Sequence, residues 1–243
     1  MTNQPERINK VLAKLGYGSR REIDTLITEG KVQVNGQAAK LGQKITAQDV
    51  ITINNQPVIA TQNNQKIVLA FYKPGGVTTT RRDPFAKMTI MDFMPTEYHH
   101  LFPVGRLDRM SRGLLLLTND GDLAERLSHP RYGHEKEYEV TIQSHKPVTL
   151  NDFKAAIQHL SHTILDPSLQ TKPVTICEAQ FDSHTQQGKV TLILKEGKKR
   201  QIRQLFAILG YEVRDLLRTR INRITLAGLK EGQFVKIDPK LVG

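Results

Sequence analysis

The sequence predicts an α+β protein in two parts, a small helix, helix, hairpin unit followed by a larger unit built on a mainly antiparallel mixed sheet flanked by helices. Three observations lead there. Apolar residues recur at helical spacing twice before residue 30 and then give way to a strand, hairpin and strand. A polar, amide-rich segment at residues 54–65 (NNQPVIATQNNQ) breaks the pattern and reads as a linker. Beyond it, strands outnumber helices and do not alternate regularly with them, which disfavours a parallel βαβ array. Residues 1–62 are therefore assigned to the first unit with its linker, and residues 63–243 to the second.

In the first unit, Ile8, Val11, Leu12 and Leu15 share one helical face, and Gly16 and Gly18 stop the helix. Ser19 and Glu22 have the spacing of a capping box, and Ile23, Leu26 and Ile27 supply the next apolar face, closed by Gly30. Lys31–Val34 and Val50–Ile53 read as strands, with Asn35-Gly36 as a turn that needs positive φ. In the second unit, strands are expected at Lys66–Tyr72, Gly113–Leu117, Lys136–Ile142, Val174–Phe181 and Lys189–Lys195, and helices at Asp120–His129, Leu150–Leu160 and Arg200–Leu209.

The chain has 243 residues, 38% hydrophobic and 24% charged, enough to bury a sizeable core and too apolar for a wholly disordered chain. Its formal net charge is +11, with an isoelectric point near 9.8, so nucleic acid is the leading partner. Residues 195–223 carry nine Lys or Arg against Glu196, Glu212 and Asp215, over half of that excess. The single Cys177 excludes an intrachain disulfide, fits a reducing cytoplasmic compartment, and is expected to be a small buried apolar residue. The start MTNQPERINK lacks a signal-peptide core, and no apolar run approaches ~18 residues, so membrane contact is not expected.

On the first helix Arg7, Lys10 and Lys14 form a stripe away from the apolar one, and Arg20 and Arg21 stand at the N-terminal end of the second, a geometry that suits a phosphate backbone as well as a solvated charged face. His99-His100 and the pair His159, His162 lack further ligands at metal spacing, and NDGD at Asn119–Asp122 reads as a turn and helix cap. Asp108 by itself is an acid between an apolar stretch and the polar turn RMSR. Most such residues cap turns or pair with a neighbouring Arg.

Its company carries more. The run GRLDRMSRGLLLLTNDGDLAERLSHP at Gly105–Pro130, KEYEV at Lys136–Val140, EGKKRQIRQLF at Glu196–Phe206 and YKPGG at Tyr72–Gly76 resemble the RsuA/RluB/RluE/RluF branch of the bacterial ribosomal RNA pseudouridine synthases. These segments span nearly all the chain after the linker. The N-terminal unit, with GSRRE at Gly18–Glu22 and its VNG hairpin, is similar to the α-L RNA-binding domain named for ribosomal protein S-four, and its wording looks most like the RluB type. Arg109, Met110 and Arg112 depart from the branch by adding bulk and charge to the turn, where they are expected to alter RNA contacts.

The resemblance implies isomerisation of a specific uridine to pseudouridine in ribosomal RNA, in particular a stem-loop of the large-subunit (23S) RNA, by a cytoplasmic monomer that needs neither cofactor nor metal. Small-subunit (16S) RNA as target, or a non-catalytic RNA-binding or assembly protein, are the alternatives. Asp108 matches the family aspartate that assists cleavage at the sugar, as nucleophile or as proton acceptor. A free aspartate carboxyl, with a pKa near ~3.9, is ionised at neutral pH and ready for either. Arg203 matches the arginine that holds the aspartate ionised and oriented, and Tyr138 the aromatic that packs on the target base. A uridine stacked in a helix must first be extruded, at a cost of a few kcal/mol. Arg106 matches the position that fills the vacated stack, while Lys136, Lys199 and Arg200 are assigned to phosphates.

Overall fold

The computed structural model describes residues 4–59, 65–162, 172–226 and 228–242, and the chain divides into two compact units, Met1–Gln65 and Lys66–Gly243. In the first, α1 (Ile8–Lys14) and α2 (Arg20–Thr28) join strands β1 (Glu6–Arg7), β2 (Val32–Val34), β3 (Gln37–Ala38), β4 (Lys44–Ile45), β5 (Ile51–Ile53) and β6 (Gln56–Pro57), and Ile8, Val11, Leu12, Ile23 and Ile27 pack against Val32, Val34, Ile45, Ile51 and Ile53 of β2, β4 and β5. The capping box forms: the Glu22 amide donates to Ser19 Oγ at 3.2 Å and the Ser19 amide to Glu22 Oε2 at 2.6 Å. Asn35 and Gly36 take φ of 51° and 79°, the left-handed pair the hairpin needs.

The linker expectation is corrected at its start. Asn54 and Asn55 take φ of 50° and 61° and make a second hairpin turn, after which β6 pairs with β5. Asparagine tolerates left-handed backbone, so two of them close a hairpin without glycine, and Pro57 is accommodated because β6 is an edge strand. Residues 60–64 of that segment lie outside the described residues.

The second unit is one mixed sheet of β7 (Val68–Lys73), β8 (Phe102–Pro103), β9 (Arg112–Thr118), β10 (Lys136–Ser144), β11 (Thr175–Asp182), β12 (Gln187–Leu194), β13 (Tyr211–Ile221), β14 (Ile224–Thr225) and β15 (Phe234–Ile237). The strands run in the order β11-β12-β10-β13-β9-β7-β15, with β14 paired to β13 and β8 to β9. The pairing of β13 with β9 is parallel, and the other strand pairings of this sheet among the described residues are antiparallel. Helices α3 (Gly121–Ser128), α4 (Leu150–His162) and α5 (Gln201–Ile208) flank it. As in the N-terminal unit, the predicted helices and strands form; the 11-residue β13 and the strands β8, β14 and β15 are additions.

Residues 68–71 of β7 and 114–117 of β9 are apolar because both their faces are covered. Val68, Ala70, Leu114 and Leu116 pack on Leu123 and Leu127 of α3, while Leu69, Phe71, Leu115 and Leu117 pack on Ile90, Met91, Met94 and Leu101. Helices α4 and α5 press Phe153, Ile157, Leu160, Ile202, Leu205 and Phe206 onto β10, β12 and β13. Cys177 is exposed, which corrects the expectation of burial: it sits on the edge strand β11, where the register with β12 breaks between Ile176 and Glu178.

One row of the sheet runs Lys73, Gly113, Arg218, Tyr138 across β7, β9, β13 and β10. Gly113 has φ of 110°, and a Cβ there would lie 2.3 Å from the Arg218 carbonyl oxygen, so neither conformation nor space admits a side chain. Gly113→Ala is expected to destabilise the unit by about 3 kcal/mol or more, read as a lowered urea midpoint.

Candidate active site

Asp108 stands on a tight turn closed by the Ser111 amide, which donates to the Asp108 carbonyl at 3.0 Å. The turn is fastened from below by Lys73, whose side chain is 0% exposed. Its ammonium donates to the carbonyls of Pro74 at 2.8 Å, Arg109 at 3.2 Å and Ser111 at 2.6 Å, one for each N–H. The Gly76 amide adds a bond to the Arg109 carbonyl at 2.8 Å. On the other side of Asp108, buried Thr79 donates through Oγ1 to the Leu107 carbonyl at 2.7 Å and accepts from the Leu107 amide at 3.3 Å. The backbone is thus held immediately before and after the carboxylate.

Burial pulls Lys73 down to about 8, and the neighbouring Arg218 adds to this, while Asp108 and Glu231 pull the other way. Arg218, 3% exposed, donates through Nε to the Leu114 carbonyl at 2.7 Å. Lys136 on β10 is half-buried and also falls to about 8, through burial and then Arg218. A cationic floor therefore lies beneath the Asp108 turn.

The segment EGKKRQIR is shaped by a buried carboxylate. Glu196 accepts from the Lys172 amide at 2.8 Å and from Gln201 Nε2 at 2.7 Å, and Gln201 Oε1 accepts from the Lys198 amide at 3.1 Å. This loop sets Arg200 in left-handed backbone, φ 54°, at the start of α5. Arg200 Nη1 lies 4.0 Å from Asp108 Oδ2. Arg203, one turn along, donates through Nη1 to the Val213 carbonyl at 2.7 Å and feels Asp108 electrostatically; burial lowers its pKa. Tyr138, 6% exposed, lies in the same cluster as Leu107 and Ile202, the neighbours of Asp108 and Arg203. Ser111 Oγ, Arg203 Nε and Arg218 Nη2 are buried without a hydrogen-bond partner, three of the five such atoms among the described residues.

The structure thus brings Arg200 and Arg203 to Asp108, and sets Tyr138 in the core cluster that holds Leu107, the residue before Asp108. Arg106 and Lys199 are exposed, and Lys136 lies half-buried beside Arg218 rather than out on the surface. In the N-terminal unit Arg7, Arg20 and Arg21 are exposed, whereas Lys10 and Lys14 both approach Glu6, at 3.2 and 3.3 Å, which offsets part of that stripe. Arg112 is not a free surface cation. It forms a two-pronged pair with Asp215 at 2.9 and 2.7 Å and also donates to Tyr72 Oη and Glu231 Oε1, each at 2.9 Å. Sequence reading missed Lys73, Thr79 and Arg218. The YKPGG string contained the first, but its acceptors are backbone carbonyls that no side-chain pattern announces. Among the described residues no group of three or more His, Cys, Asp or Glu could hold a metal; the side chain of His162 lies outside them.

A carboxylate clamped on a fixed turn, with cations close to it and a buried tyrosine packed in the cluster of the preceding leucine, in a chain that also carries a separate basic helix and hairpin unit, fits an enzyme that acts on nucleic acid. The sequence pattern of the RNA pseudouridylate synthases matches residues 67–208, and that of the S4 domain residues 6–51. The chain is 34% identical to the ribosomal large subunit pseudouridine synthase B of Bacillus subtilis, over 96% of its own length and 93% of that protein. It is 35% identical to the dual-specificity RNA pseudouridine synthase RluF of Escherichia coli K12, over 94% and 74%. A crystal structure of a pseudouridylate synthase superposes with a TM-score of 0.65 at 26% identity, covering 98% of this chain and 99% of that one. The chain belongs to the RNA pseudouridylate synthase family. It is a pseudouridine synthase related to both RluB-type and RluF-type proteins, with an S4-like N-terminal domain.

Three outcomes follow from these buried and paired charges. Lys73→Met takes a donor from three carbonyls, of which that of Arg109 keeps the Gly76 amide, and should cost about 3 kcal/mol of stability together with most of the turnover. In the unaltered protein, the neutral amine formed above about pH 8 has only two N–H groups for three acceptors, so turnover should fall there. Stability should not fall in step, since a lysine with a lowered folded pKa favours folding more as pH climbs from about 8 towards ~10.4. At the acid end, the Arg112 guanidinium holds the Asp215 carboxyl below its usual range. Its contribution is present above pH ~3.9 and is lost as pH falls through the lower folded value. Asp215→Asn should therefore cost stability at neutral pH and progressively less in acid denaturation series.

Proposed function

We propose that this enzyme isomerises a specific uridine of large-subunit (23S) ribosomal RNA, acting as a monomer in the cytoplasm. Residues 1–62 dock the RNA through Arg7, Lys10, Lys14, Arg20 and Arg21, and residues 63–243 carry the chemistry. The observation that carries the reading is Asp108 on its clamped turn, 4.0 Å from Arg200 and grouped with Arg203 and Tyr138. The RluB-type relatives, whose names specify the large subunit, support the choice of target.

The reaction breaks the bond from N1 of the base to the sugar, turns the base, and joins C5 to the same anomeric carbon, with no net redox change. Arg106, exposed two residues before Asp108, fills the stack that the uridine leaves, its guanidinium plane standing in for a base. Tyr138 supplies the face against which the extruded base turns. Asp108 works on the sugar side, as nucleophile at the anomeric carbon or as acceptor of a neighbouring sugar proton. Arg203 orients it through the local field while its own position is set by the Val213 carbonyl. Arg200 stands close enough to Asp108 to share that task as well as to meet a phosphate, Lys199 serves the RNA backbone, and the half-buried Lys136 adds its field from beneath. Fixing the carboxylate before substrate arrives removes reorganisation from the chemical step.

The test is tritium release from ribosomal RNA labelled at C5 of uracil. Asp108→Asn should reduce release to background while RNA affinity stays within a few-fold; equal loss of binding and folding would remove Asp108 from catalysis. Mapping pseudouridine in cells with and without the gene should find one missing position in 23S RNA. A second missing position would favour the broader specificity named for the RluF-type relatives, which match nearly as much of the chain.

A further inference from the structure

We propose that the loop of residues 79–88 is a nucleotide-stacking arm, in which Phe85 stacks on an unpaired base flanking the target uridine. Phe85 is 95% exposed, the most exposed large apolar side chain among the described residues. A bare phenyl ring in water is unfavourable, and its surroundings name what covers it. Arg81, Arg82 and Lys87 are exposed around it and form no ion pair with a described residue. The acid nearby, Asp83, is occupied by the backbone: its Oδ1 accepts from the Phe85 amide at 2.9 Å and its carbonyl from the Ala86 amide at 3.2 Å.

The loop is also fixed where it meets the site. The Thr78 amide donates to the Met88 carbonyl at 3.0 Å, closing the loop at its base. Thr79 is bonded in both directions to Leu107, the residue before Asp108. Phe85 follows Thr79 by six residues, an extended reach of at most ~20 Å, so the ring lies within a few nucleotides of any uridine held at Asp108. An aromatic ring set among cations on a preordered loop suits a base beside a phosphate backbone, because every base has a face to stack and the cations take the charge. A uridine drawn from its helix leaves neighbours partly unstacked, and those are the bases available. The inference rests on the RNA-modifying reading above and adds to it a contact outside the assigned residues.

The sequence contains no tryptophan, so Phe85→Trp in the full chain gives a single tryptophan whose emission is read by exciting beyond the tyrosine absorption. Titration with ribosomal RNA should quench it, whereas heparin, a polyanion without bases, should bind without comparable quenching. Phe85→Ala should raise KM for RNA on the order of tenfold, moving kcat far less, and Phe85→Trp should retain the low KM. Equal quenching by heparin would reduce the loop to a charge contact and overturn the proposal. Bound RNA that leaves both fluorescence and the KM of Phe85→Ala unchanged would also overturn it, and would assign the ring to a protein partner. The functional reading fails separately, through absence of tritium release by the unaltered enzyme, because the fluorescence change requires binding alone.

Discussion

A lysine ammonium removed from water would ordinarily be a liability, and here it is the fastening on which the site depends. Lys73 ends β7, the strand between β9 and the edge strand β15, and gives its three N–H groups to Pro74, Arg109 and Ser111. Desolvating a charge costs several kcal/mol unless its hydrogen bonds are replaced. The carbonyls that replace them belong to the turn bearing Asp108. Loss of that turn's geometry would strand the charge, so the stability of the strand and the position of the carboxylate are one property.

The row through Gly113 explains how a second cation comes so near. With no side chain on Gly113, the backbone of Arg218 packs directly against β9, and the Arg218 guanidinium reaches the Leu114 carbonyl. The Arg112 network with Asp215, Tyr72 and Glu231 ties the same strands together at the start of β9. Cations that serve the fold and cations left to solvent are thus separated by what their donors touch. Arg112 and Lys73 are consumed, while Arg106, Lys199 and the three cations around Phe85 stand exposed.

Much of this was legible in the sequence. Apolar spacing located α1 and α2, the Ser19 and Glu22 pair located the cap, and the continuous Leu114–Leu117 run announced a strand buried on both faces. The three segments around Asp108, Tyr138 and Arg203 do converge in the fold. What stayed hidden depended on contacts distant in sequence. β13 has charges interspersed with apolar residues and reads as part of a basic run until its pairing with β10 and β9 buries Arg218. Arg112 reads as a surface charge until Asp215 arrives from the far side of the chain. Asn54 and Asn55 read as linker because amide-rich composition serves a loop and a left-handed turn alike.

The parallel pairing of β9 with β13 also governs when the enzyme exists. The bond from Arg218 to Leu114 spans 104 residues, and Arg203 takes its position from Val213, so the floor of the site is supplied by chain that is synthesised well after the Asp108 turn. The basic N-terminal unit, by contrast, closes its own core within residues 8–53. A nascent chain therefore closes its N-terminal core well before the carboxylate of Asp108 has a floor to rest on, and a product terminated between the two would carry the turn without its cations.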